Sequence, residues 1–119
     1  MTIALALMAL LACVATATAT AGGLRVIGSA RSSGDFAVTA ASGSKKNTHS
    51  LWVRGYGRGL SGQAVVACSR GFSIGSRSTS LNSMRSGRLY KLRLPMHGDC
   101  DVTASLSGSG RIRLQILAV

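Results

Sequence analysis

Residues 99–119, DCDVTASLSGSGRIRLQILAV, decide the fold class. In their first part Cys100, Val102, Ala104 and Leu106 alternate with Asp99, Asp101, Thr103 and Ser105. In their second part Ile112, Leu114, Ile116 and Ala118 alternate with Arg111, Arg113 and Gln115. A period of two is the signature of a strand that buries one face and leaves the other to solvent. Between the two runs stands Ser107-Gly108-Ser109-Gly110, whose glycines tolerate positive φ. The stretch therefore reads as two strands joined by a tight hairpin loop. Cys100 lies on the apolar face and is expected to point into the core.

Working outward, the same rhythm recurs. Residues 24–27, 36–40 (FAVTA), 50–58, 63–69 (QAVVACS) and 88–94 (RLYKLRL) read as short strands. Between them lie Ser32-Ser33-Gly34-Asp35, a polar break at residues 43–47 carrying a Lys pair, and other Gly/Ser clusters. Pro95 closes the strand at 88–94, because proline cannot donate to a ladder. No helical period is sustained anywhere beyond the N-terminal segment. Turn signals at this spacing predict an all-β domain, a small antiparallel β-sandwich with immunoglobulin-like architecture. The immunoglobulin family pattern itself is not met, since Trp52 precedes Cys68 and no Tyr stands two residues before Cys100. Residues 71–87 (GFSIGSRSTSLNSMRSG) break the rhythm and read as a long Ser-rich connection, with a short edge strand near residues 79–81 or a binding loop as its two uses.

The first twenty-one residues differ in kind. Residues 3–14 are apolar, no Lys or Arg precedes them, and an Ala/Thr repeat ending in Ala-x-Ala follows. This pattern predicts a secretory signal peptide over residues 1–21, leaving residues 22–119 as a single domain. Residues 10–13, Leu-Leu-Ala-Cys, also match a lipobox, in which Cys13 would carry a lipid; that is the alternative to free secretion. Beyond the segment two cysteines remain, Cys68 and Cys100. An even pair in an exported chain predicts one disulfide. Closing a loop of about 33 residues constrains the unfolded chain by roughly 3.5 kcal/mol.

Charge is the second strong signal. Fourteen Lys and Arg face three acids, Asp35, Asp99 and Asp101, giving a net charge of +11, none of it in the first 21 residues. Such a surface attracts anionic polymers over about a Debye length. The catalytic inventory is poor. The histidines, His49 and His97, fall in connections, no Glu exists to build a carboxylate pair, and no Gly-x-Ser-x-Gly elbow presents a nucleophile. His97, Asp99 and Asp101 are clustered, but three ligands on a surface turn make a poor metal site. No enzyme, metal or cofactor is expected.

One constellation has binding chemistry. Trp52, Arg54, Tyr56 and Arg58 occupy alternate positions of one strand, opposite Leu51 and Val53. Aromatic rings interleaved with guanidinium groups can stack sugars or bases while holding acidic groups. The competing reading places the lone Trp in the core. Arg111 and Arg113, on the terminal hairpin, are expected to lie apart from this face. The expectation is a secreted or cell-envelope, strongly basic, non-catalytic β domain that binds an anionic extracellular polymer: cell-wall polymer, acidic glycan or nucleic acid. The alternative is a structural or protein–protein interaction module, inhibitor-like and envelope-associated, without a polymer ligand.

Overall fold

The computed structural model describes residues 23–119. The signal peptide expected over residues 1–21, and the lipobox alternative at Cys13, lie outside the described residues. The described chain is all-β and antiparallel, and none of it is helical. Its elements are β1 (Arg25–Thr48), β2 (Leu51–Arg70), β3 (Ser73–Met84), β4 (Leu89–Lys91) and β5 (Gly98–Ala118). All belong to one sheet in the order β1-β5-β2-β3, with β4 pairing the other end of the same β2 edge.

Residues 107–110 depart from the expectation drawn from sequence. They do not form a hairpin. β5 runs through them as one strand of 21 residues, and both of its halves pair with β1 on one side and β2 on the other. The same holds for the other expected turns. Residues 32–35 lie inside β1, and residues 59–62 lie inside β2. Each site is instead a bend. The ladder skips between Gly34 and Ala37 of β1, and between Tyr56, Arg58 and Ser61 of β2. Gly110 stands opposite Gly34, and Ser109 opposite Arg58, so the three irregularities line up across the sheet. Bulges increase local twist and bend a strand without ending it. Three neighbouring strands that bend at one line keep their pairing on both sides of it.

Gly57 shows why glycine is needed there. Its φ is +143°, and a Cβ would lie 2.7 Å from Ile112 Cγ2 and 3.0 Å from Leu60 Cδ2. Past the bend the sheet returns over itself. A Cβ on Gly43, late in β1, would sit 2.9 Å from the carbonyl oxygen of Ile27 near its start. A Cβ on Gly55 would meet Leu106 Cδ2 at 3.1 Å, although Gly55 is paired with Leu114. The two halves thus enclose one core.

That core follows the alternation read from sequence. Leu51 and Val53, Ala64, Val66 and Cys68, Val102, Ala104 and Leu106, and Ile112, Leu114 and Ile116 are all buried in one cluster. Residues 88–94 are only partly strand: after β4, Leu92 is buried and its backbone N–H donates to Leu51 O at 2.9 Å. Residues 71–87 are not the expected long connection, and the edge strand expected near residues 79–81 extends much further. They are largely the twelve-residue strand β3, paired along β2 from Leu60 to Arg70. Its Ser-rich composition reflects an edge with one buried flank, where Leu81 and Met84 are its main contributions to the core. Cys68 and Cys100 are bonded, and they are direct cross-strand partners on β2 and β5.

Candidate functional site

β2 presents Leu51, Val53 and Gly55 to the core, so Trp52, Arg54 and Tyr56 stand on the outer face of the same strand. The register then decides their neighbours. Trp52 pairs with Lys91 of β4 and Leu117 of β5, Arg54 with Leu89 and Gln115, and Tyr56 with Arg113. One strand further, Gln115 pairs with Ser29 and Arg113 with Arg31 of β1. The outer face of this half is therefore a band of Arg, Lys, Tyr, Trp and Gln across four strands.

The contacts within it are specific. The Arg54 guanidinium donates to Gln115 Oε1 from Nε at 3.0 Å and from Nη2 at 2.8 Å, which fixes its plane. Tyr56 has two cations near its ring, Arg113 at 4.6 Å and Arg54 at 5.6 Å from the ring centre. Guanidinium over an aromatic face is attractive, and stacking leaves the N–H edges of Arg113 free to reach an anion. Lys91 Nζ stands 5.6 Å from the Trp52 ring centre. Trp52 itself is half-buried, and its Nε1 is buried without an acceptor among the described residues. Of the aromatic pair, Tyr56 is the one with two guanidinium groups near its ring.

The four residues singled out in the sequence do not remain together. Trp52, Arg54 and Tyr56 share the outer row; Arg58 follows the break in register and is exposed at the bend, where it lines a separate depression with Asp35, Ser109 and Arg111. Conversely, Arg113 and Arg111 are not remote from the row. Arg113 is the cross-strand partner of Tyr56, and a depression of about 590 Å³ beside it is lined by Arg31, Ser32, Ser33, Tyr56, Arg111, Ile112 and Arg113. Their parity, opposite Ile112 and Leu114, does place them on the outer face. Which strand lies beside them is not encoded in that parity, and the hairpin reading assigned the wrong neighbour.

At the far end of the sheet His97 and Asp99 line one depression with His49 and Arg70, while Asp101 lies outside it. His97 meets His49 edge-on with ring centres 5.2 Å apart. Asp99 Oδ1 accepts from the Asn47 backbone N–H at 3.1 Å, and Asp101 Oδ1 accepts from Ser44 Oγ at 2.5 Å. These carboxylates tie β5 to β1. Among the described residues no three His, Cys, Asp or Glu side chains converge as a metal site would require.

No protein-family model matches the chain, and no curated protein matches it. Solved structures do. The C-terminal domain of A223, a structural protein from sulfolobus turreted icosahedral virus, is similar with a TM-score of 0.45 at 9% identity, over 81% of this chain and 98% of that one. PirA is similar with a TM-score of 0.41 at 14% identity, over 82% of this chain and 94% of that one. TmCBM61, solved in complex with β-1,4-galactotriose, is similar with a TM-score of 0.37 at 12% identity, over 82% of this chain and 79% of that one. At such scores the likeness bears on neither activity nor ligand.

Proposed function

We propose that this is a secreted or envelope-associated, non-catalytic binding domain whose outer face around Tyr56 holds an anionic extracellular polymer, with the doubled sheet acting as a β-sandwich scaffold of immunoglobulin-like architecture. One observation supports it above the others: Tyr56 with Arg113 and Arg54 near its ring, and Arg54 fixed by Gln115, joins aromatic surface and ordered positive charge in one row. The net charge of +11 supplies the long-range attraction. A row that runs along an exposed sheet face, with an open depression at one end, suits an extended polymer better than a small molecule, which needs an enclosing site. Trp52, Arg54 and Tyr56 are the contacting residues in this reading, with Arg58 reached only by a polymer that continues over the bend.

The test is retention on immobilised heparin and on polygalacturonate across a salt series. Log affinity should fall linearly with log salt, as counterions are released. Tyr56→Leu should weaken binding by about 1–2 kcal/mol without changing the salt slope, because a ring is lost and no charge. Salt-independent binding, or an unaltered affinity in Tyr56→Leu, would remove the Tyr56 face from the mechanism.

A second reading, a structural or protein–protein module, has its own observation. β1 and β3 are edge strands of 24 and 12 residues, each with a neighbour on one side only. Unpaired edges are templates for adding a strand from another chain. Concentration-dependent oligomers that form without polymer would favour it.

A further inference from the structure

The cations on β1 and β5 are arranged in a way that a merely basic surface is not. Arg31 and Arg113 are direct cross-strand partners. Like charges in that position repel, and the pairing is destabilising unless something neutralises it. Arg111, two residues back along β5, projects from the same outer face, opposite Ser33. The side chains of Arg31, Arg111 and Arg113 line one depression together with Ser33 and Tyr56, and no carboxylate lines it. Tyr56, one of its lining residues, has Arg113 and Arg54 within 4.6 and 5.6 Å of its ring centre.

We propose that this depression binds a tetrahedral oxyanion, the phosphate or sulfate ester group of the polymer; the polymer as carrier rests on the reading above, while the anion chemistry rests on the cluster alone. A carboxylate offers one charge and two oxygens in a single plane, which one guanidinium fork already satisfies. A phosphate or sulfate monoester has three free oxygens facing three directions, whereas a phosphodiester has two. Three guanidinium groups from two strands match the monoester's count, and each can engage an oxygen edge with paired N–H donors. The Ser33 and Tyr56 hydroxyls add neutral donors. A bound oxyanion would also relieve the Arg31–Arg113 repulsion, so occupancy and local order rise together. Arg111 is shared with a neighbouring depression at the bend, which Arg58 and Asp35 also line and whose carboxylate would oppose an anion.

The experiment compares sulfated, phosphorylated and carboxylated ligands on one protein. Isothermal calorimetry is run at about 0.15 M salt, where long-range attraction is screened beyond about 8 Å. The ligands are a heparin-derived oligosaccharide, a phosphomannan oligosaccharide and an oligogalacturonate matched for length. At least one ester-bearing ligand should bind about tenfold more tightly than the oligogalacturonate, and which one does so identifies the source of the oxyanion. Arg31→Gln and Arg113→Gln should each weaken that ligand about tenfold and shrink its preference over the carboxylate. Arg77→Gln, on β3 of the other half, should change it less than twofold. Inorganic phosphate is titrated separately by NMR, with saturable amide shifts expected at residues 31–33, 56 and 111–113. Equal affinity for all three ligands, or Arg113→Gln no worse than Arg77→Gln, overturns the oxyanion site while leaving general polymer binding intact. Saturable phosphate shifts without binding of any oligosaccharide keep the oxyanion site and overturn the polymer reading. Neither response overturns both.

Discussion

The two halves of the bent sheet share one interior and carry different exteriors. Before the bends, residues 25–34, 51–57, 89–91 and 111–118 present Arg31, Arg54, Arg113, Lys91, Trp52 and Tyr56 to solvent. Beyond them, the outer positions are Val65 and Ala67 on β2, Asp101, Thr103 and Ser105 on β5, and Ser76, Ser78 and Ser80 on β3. Inward, both halves contribute the same alternating aliphatic residues to a single cluster. The inner alphabet builds the fold and is indifferent to function. The outer alphabet differs by half: among the described residues the cations set against aromatic rings are those around Trp52, Tyr56 and Tyr90, on the first half. The other half carries the covalent support, Cys68–Cys100, and the side-chain ties from Asp99 and Asp101 to β1.

The largest effect that could break this division is removal of the disulfide. Because the core is one cluster spanning both halves, Cys68→Ala with Cys100→Ala should lower stability by roughly 3–4 kcal/mol in a single transition. Guanidinium unfolding followed by Trp52 fluorescence, which reports the half before the bends, and by far-UV circular dichroism, which reports the whole sheet, should give coincident curves. Two separated transitions would mean that the halves are independent units, and the shared interior would lose its meaning.

Next in size is the bend. Gly57→Ala places a Cβ against Ile112 and Leu60 at a φ of +143°, and should cost about 2–3 kcal/mol. Gly59 is the control: its φ is +57° and nothing lies near a Cβ there, so Gly59→Asn, which tolerates the left-handed region, should cost less than about 0.5 kcal/mol. Thermal melts compare the two. Equal costs would show that the bend is set by chain flexibility and not by close packing of the two halves.

These bends also mark where the sequence was legible and where it was not. Alternation correctly assigned the inward positions of residues 64–68, 100–106 and 112–118, because burial on one sheet face acts residue by residue. The cysteine pair was readable from count and parity. The Gly/Ser clusters were misread, since the same φ freedom that closes a hairpin also permits a bulge within a continuous strand. What separates the two outcomes is whether neighbouring strands bend at the same place, and that is a property of pairing between residues far apart in sequence. The site suffered for the same reason. Trp52, Arg54 and Tyr56 were found from one strand's parity, whereas Arg31, Lys91 and Arg113 join them only through register. Arg58 kept the parity in sequence and lost it in space, because two breaks in register flank it.

The smallest expected effect separates a stacked Tyr–Arg pair from the three-arginine cluster. On the half beyond the bends, Val65 and Thr103 are cross-strand partners on β2 and β5, as Tyr56 and Arg113 are on the half before them. Both are exposed, so Val65→Tyr with Thr103→Arg should alter stability by no more than about 0.5 kcal/mol. The double variant would recreate the stacked Tyr–Arg pair at the equivalent register. It would have Ser78 of β3 beside it where Tyr56 has no β3 neighbour, no third Arg, and Asp101 two residues along β5. A stacked pair alone should therefore raise polymer affinity less than about twofold. Calorimetry on the Arg113→Gln background, where the original face is weakened, makes such a gain visible. Recovery of full affinity by the transplanted pair would mean that one Tyr and one Arg suffice, and that the convergence of Arg31, Arg111 and Arg113 is incidental. A gain below twofold would place the selectivity in that convergence, which only the half before the bends provides.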